Sequence, residues 1–163
     1  MSRMVPPVTA CLWFDGDAEA AARFYTALVP DSAMGEIGHA AADYPAGRAG
    51  DVLTVEFTLG GVPFMGLNGG PNVAFTEAVS FQLACADQAE VDRLWDGFLE
   101  AGGTPIACSW LRDRWGICWQ IVPVRLTELM KDPDPERARR AMEAMMGMTK
   151  IDIAALERAV EDA

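Results

Sequence analysis

Apolar positions in this chain switch between two spacings, and the switch occurs twice. The stretch "TACLWFDGDAEAAARFYTALVPDS" from Thr9 opens on a short apolar run, passes a polar turn, and continues with Ala21, Phe24, Tyr25 and Leu28 on one helical face. The stretch "SFQLACADQAEVDRLWDGFLEAGG" from Ser80 does the same, with Val91, Leu94, Trp95, Phe98 and Leu99 sharing a face. The two starts lie 80 − 9 = 71 residues apart. Asp87 with Glu90 forms a capping box for the second helix, and Gly102-Gly103 stops it.

Each helix is followed by runs with strand character. In the first half these are Met34 to Gly38, Val52 to Leu59, a Gly60-Gly61 turn, and Val62 to Asn68. In the second they are Thr104 to Leu111, a turn at Arg112 to Gly116, and Ile117 to Val124. An Ala/Gly/Pro-rich segment between Gly38 and Gly50 has no counterpart in the second half and reads as an inserted loop with scope to move. The spacing thus predicts two strand-helix-strand modules, residues 1–74 and 75–124, followed by a helical tail over 125–163. In that tail Asp134 caps a helix with Pro135 at its first position, with Ala138, Met142, Met145 and Met146 at helical spacing. Asp152 caps a last one.

Successive strand residues point to opposite faces. Leu12 and Phe14, Met65 and Leu67, Phe81, Leu83 and Cys85, and Trp119 and Ile121 are expected to pack on the helices. The other faces then carry Thr9, Cys11 and Trp13; Phe64, Gly66 and Asn68; Ser80, Gln82 and Ala84; and Cys118, Gln120 and Val122. On the strand around Glu56, Val55 and Phe57 oppose Thr54, Glu56 and Thr58. A sheet face open to water more usually carries Lys, Glu and Arg. Small polar residues mixed with Trp favour a lined cavity for a small ligand.

Composition narrows the possibilities. The chain has 163 residues, 51% of them hydrophobic, enough for a sizeable core. No apolar run approaches the roughly 20 residues of a membrane helix, and the start "MSRMVPPVTA" lacks a secretory apolar core, so a cytoplasmic protein is expected. A net charge of 13 − 24 = −11 disfavours nucleic acid and anionic membrane as partners. Cys11, Cys85, Cys108 and Cys118 stand singly in apolar runs and read as buried thiols; His39 is the one histidine and reads as exposed. No multi-histidine metal site can form, and no cofactor is expected.

Among candidate site residues, Glu56 is the one acid on a strand expected to face the pocket. It is either a general base, its pKa raised by partial burial, or a solvated glutamate. Trp13 and Trp110 could form an aromatic wall, while Trp119 falls on the helix side and Trp115 at a turn. Arg112 and Arg114 flank that turn, where they could meet a ligand anion, stand in solvent or pair with Asp113.

The repeat, together with "LWFDGDAEAAARFY", "PFMGLNGG", "SWLRDRWGICWQIVP" and "DPDPERARRAMEAMMGMTKIDIAALERA", resembles the vicinal oxygen chelate superfamily of glyoxalase I and the bleomycin-resistance proteins. It resembles most the branch labelled 3-demethylubiquinone-9 3-methyltransferase-like. The resemblance implies an α+β fold, two βαβββ modules forming curved mixed sheets around a cavity plus C-terminal helices, assembled as a homodimer. Ligand positions of metal-dependent relatives then fall at or near Thr9, Asn68, Ser80 and Gln120. None is His, Asp or Glu, so no tightly bound metal is expected there.

The expected function is therefore binding of a small molecule by Thr9, Trp13, Asn68, Ser80, Gln82, Trp110 and Gln120 without a metal. The alternative is a metal-independent isomerase or lyase with Glu56 as general base. Methyl transfer is disfavoured despite the branch label, because the Gly pairs fall at strand turns or a helix end rather than in a cofactor-binding strand-to-helix loop.

Overall fold

The computed structural model describes residues 8–161. Residues 1–7, which hold most of the stretch expected to lack a secretory apolar core, lie outside the described residues. The chain divides into two compact units, Met1–Ala74 and Phe75–Ala163.

The first unit contains β1 (Ala10–Phe14), α1 (Ala18–Leu28), β2 (Ala33–His39), β3 (Val52–Leu59) and β4 (Val62–Asn68). Its sheet has the order β1-β4-β3-β2, with β1 parallel to β4 and the other pairs antiparallel. Ala18, Ala21, Ala22 and Tyr25 of α1 are fully buried, and Tyr25 meets Phe57 at a ring separation of 6.3 Å. Phe57 in turn stacks on Phe64 at 5.5 Å. The helix approaches β4 closely because Gly66 has no side chain: a Cβ there would stand 3.0 Å from the Ala18 Cβ.

The second unit contains β5 (Ser80–Cys85), α2 (Gln88–Glu100), β6 (Thr104–Pro105), β7 (Trp110–Arg112) and β8 (Cys118–Pro123), then α3 (Val124–Met130), α4 (Pro135–Met146) and α5 (Ile153–Glu161). Its sheet repeats the first, in the order β5-β8-β7-β6 with β5 and β8 parallel. The capping box closes as its residues require: Asp87 Oδ1 accepts from Glu90 N at 2.9 Å, and Glu90 Oε2 accepts from Ala86 N at 2.8 Å. Trp119 is fully buried between Phe81 and Phe98, with ring separations of 5.5 and 5.2 Å.

Three expectations need correction. The sheets do not curve around a cavity: both are open, with β1 and β2 at the edges of the first and β5 and β6 at the edges of the second. Closure would need each edge pair to hydrogen-bond, and β6 has only two residues while β2 carries register shifts. The run from Thr104 to Leu111 is not one strand, since Cys108 and Ser109 adopt left-handed backbone angles, φ 54° and 62°, that interrupt it. In α4 the buried face is Ala141 with Ala144 and Met145, whereas Met142 and Met146 are exposed. The Gly38–Gly50 insertion is knitted by its own backbone, with Ala40 and Asp51 paired and Tyr44 bridged to Gly47.

The tail is tied to the second unit at specific points. Ser109 Oγ accepts from Ile151 N at 3.0 Å, and Gln88 both donates to Ile151 O and accepts from Ile153 N. Leu126, Leu129, Ala141, Ile151, Leu156 and Val160 form the core beneath. No helix among the described residues is long and apolar enough to cross a membrane.

The β7–β8 turn is organised by Asp113, which is 5% exposed. Its Oδ1 accepts from Trp115 N at 2.9 Å and Ile117 N at 3.0 Å, and its Oδ2 accepts from the Trp119 indole at 2.8 Å. Charge-assisted bonds to a buried carboxylate are among the strong ones, and deleting it strands the donors. Asp113→Ala is expected to lower unfolding free energy by about 2–4 kcal/mol, measured by urea denaturation. A loss below about 0.5 kcal/mol would contradict this role.

Candidate functional site

The structure gathers four of the candidate residues on one face of the second sheet. Register places Gln82 opposite Gln120 and Gln120 opposite Trp110, a row running across β5, β8 and β7. The next row places Ser80 opposite Cys118 and Cys118 opposite Arg112. Gln120 Nε2 donates to Ser80 Oγ at 2.8 Å, joining the rows on the diagonal. Gln82 is exposed, and Ser80, Gln120 and Trp110 are half-buried.

The same parity explains why Gln120 sits in an apolar strand. Its neighbours Trp119 and Ile121 are fully buried, Trp119 against Phe98 of α2, so the residue between them points the other way.

In the first unit the placement differs from expectation. Phe64, Gly66 and Asn68 face α1, and Met65 and Leu67 lie on the opposite side, the reverse of the sequence assignment. The missing Cβ of Gly66 decides it, because the helix can approach only that face. Asn68 is 6% exposed, and both ends of its amide are engaged. Oδ1 accepts from Ala18 N at 2.9 Å, capping α1 in place of Asp17, while Nδ2 donates to Val52 O at 2.9 Å.

Trp13 is half-buried, and its indole donates to Gly70 O at 2.7 Å. The ring lies so close to Gly69 that a Cβ there would come within 2.2 Å of it. Thr9 is exposed and precedes β1. Glu56 is also exposed, opposite Met65 on the sheet side away from α1. Of the two alternatives for this residue, its exposure accords with the solvated glutamate.

A recess of about 240 Å³ lies beside the insertion, lined by Asp15, Tyr44, Asp51, Val52 and Asn68 among others. It sits at the ends of β1 and β4 rather than over the sheet. Its polar walls are partly committed, since Asp51 Oδ2 already accepts from Arg48 N at 2.7 Å.

The donor set does not fit a metal. Ser80 and Gln120 are neutral and hydrogen-bonded to each other, and Asn68 is used up in the fold. The described residues contain no group of three or more His, Cys, Asp or Glu placed to hold an ion. Burial, with Glu90 beside it, pushes the Cys85 thiol up to about 12, which makes it inert near neutrality. Cys11 is exposed, contrary to expectation, although partial desolvation still raises its pKa.

Around the turn, Arg112 pairs with Glu77 at 2.6 Å rather than with Asp113, and the Arg114 guanidinium lies 4.7 Å over the Trp115 ring. Asp113 and Ser109 were not singled out for the structural roles they fill. The signal for Asp113 was present, as an Asp three residues before Gly116 at a strand turn. Nothing local marks Ser109.

A family model described as 3-demethylubiquinone-9 3-methyltransferase matches residues 6–122. The chain belongs to that family. It is a branch of the vicinal oxygen chelate, or glyoxalase/bleomycin-resistance, superfamily. The PhnB protein from Bacillus cereus is 30% identical, with a TM-score of 0.63 over 72% of this chain and 98% of that one. Protein PA1353 from Pseudomonas aeruginosa is 18% identical, with a TM-score of 0.57 over 71% and 96%. A glyoxylase/bleomycin resistance protein/dioxygenase domain from a Frankia species is 15% identical, with a TM-score of 0.49 over 74% and 93%. No curated protein matches the sequence. The family match ends at residue 122, so α3, α4 and α5 lie beyond it.

Asn68→Ala leaves the Ala18 N–H and the Val52 carbonyl without their partner. It is expected to destabilise the protein by about 1–3 kcal/mol in thermal or urea unfolding. An unchanged midpoint would show that the amide is not needed there.

Proposed function

We propose that this chain binds a small organic molecule on the Ser80–Gln82–Gln120–Trp110 face of the second sheet, without a metal. The observation that carries the reading is the row Gln82–Gln120–Trp110, tied to Ser80 by the 2.8 Å bond from Gln120. Two amides and a hydroxyl supply both donors and acceptors. The half-buried indole beside them offers a flat apolar surface. Because Gln120 spends an N–H on Ser80, its carbonyl oxygen and the Ser80 hydroxyl proton are left for a ligand, one acceptor and one donor of defined polarity. Such preorganisation lowers the entropy lost on binding.

The isomerase or lyase reading has weaker support, because the exposed Glu56 lacks the apolar surroundings that would suit it to proton transfer. Methyl transfer, suggested by the family description, also lacks support in these residues. The β1–α1 connection is Asp15-Gly16-Asp17, a single glycine between two carboxylates, which suits a nucleoside cofactor poorly.

The test begins with a thermal-shift screen of metabolites on the native protein. Any ligand raising the midpoint is then measured against Gln120→Ala and Trp110→Ala. Each variant is expected to weaken binding about five- to twentyfold, matching roughly 1–2 kcal/mol for a buried neutral hydrogen bond or a stacked ring. Ligands held equally well by both variants would overturn the assignment to this face.

A further inference from the structure

Resting on the proposed binding face, we infer that its ligand is a planar carboxylic acid whose carboxylate is taken by Arg112. Trp110 and Arg112 are two residues apart on β7 and so point to the same side, about 7 Å from each other along the strand. Trp110 belongs to the Gln120 row and Arg112 to the Ser80 row. A flat ring laid on the indole therefore carries a directly attached carboxylate to the guanidinium, with the ring edge toward Gln120 and Gln82.

Arg112 is held in place but not consumed. Its ion pair among the described residues, with Glu77 at 2.6 Å, joins side chains that are 47% and 55% exposed, and such surface pairs contribute little. Glu77 engages a single terminal nitrogen, whereas a guanidinium offers five N–H donors in a fork that matches a carboxylate. A ligand acid can share Arg112 or displace Glu77 at small expense. Among the described strand residues of this face, Arg112 carries the one formal charge, so charge complementarity selects an anion over a neutral or cationic ligand.

The net charge of −11 opposes anions at long range. That field is screened within about 10 Å at 0.1 M salt, while the direct pair acts at contact distance. Contact therefore wins, and the dependence on added salt is expected to be shallow.

Benzoate and benzamide, equal in shape and different in charge, are the probes. Binding is followed by NMR at the Trp110 indole N–H, assigned by its loss in Trp110→Phe. Benzoate is expected to shift that signal saturably, at least tenfold more weakly in Arg112→Gln, and two- to fivefold more tightly in Glu77→Gln. Arg112→Lys, which keeps the charge but not the fork, should fall between. Benzamide is expected to bind more weakly than benzoate and equally in the native protein and Arg112→Gln. If benzamide matches benzoate and Arg112→Gln changes neither, the acid preference is overturned and the binding face stands. If neither probe moves the indole signal while both variants keep native spectra, the face itself is overturned.

Discussion

The register of β8 is the constraint on which the second unit depends. A strand slipped by one residue exchanges its faces, which here would drive Gln120 into the core and expel Trp119. Hydrophobic burial alone favours the observed register, because Trp119 and Ile121 are both fully enclosed. Asp113 adds a directional restraint that burial lacks. Its carboxylate grips two backbone N–H groups of the turn and the indole of Trp119 together, so turn and core side chain are set by one group. The alignment of Gln82, Gln120 and Trp110 across three strands follows from it.

The first unit solves a related problem by other means. Its helix has no side-chain cap of its own, and Asn68 supplies the missing acceptor from the end of β4. The same amide reaches the first residue of β3, so one side chain connects helix and sheet. The two halves are alike in topology yet use different chemistry at corresponding places. The polar character of Asn68 is thereby absorbed in holding the fold, whereas that of Ser80 and Gln120 is left facing outward.

Much of this was legible in the sequence. The 71-residue repeat, the capping residues Asp87, Asp134 and Asp152, and the inward placement of Trp119 follow from spacing and local chemistry. Face assignment failed on β4 because that strand alternates two apolar series, Phe64 with Gly66 and Met65 with Leu67, and hydrophobicity does not rank them. Glycine's lack of a side chain decided the matter, a steric fact about a helix not adjacent in sequence. The open sheets were missed for a similar reason. Closure depends on edge strands pairing, and the shortness of β6 arises from a left-handed backbone at Cys108 and Ser109 that no propensity foretells. For the site, β7 and β8 kept the expected parity, whereas in the first unit Asn68 proved to lie on the inner face and Trp13 and Glu56 on the outer one.

The left-handed pair at Cys108 and Ser109 has a bearing on how the C-terminal helices relate to the fold. Glycine would be the comfortable residue at such angles, but it lacks the hydroxyl that accepts from the Ile151 amide. The backbone amides of Cys108 and Ser109 also hold the tail, donating to the Met148 and Thr149 carbonyls at 2.8 and 2.7 Å, and the hydroxyl adds a further bond that glycine would forgo. A segment beyond the family match is thereby fastened to residues inside it, so the C-terminal helices are bonded into the second unit instead of hanging from it as an independent appendage.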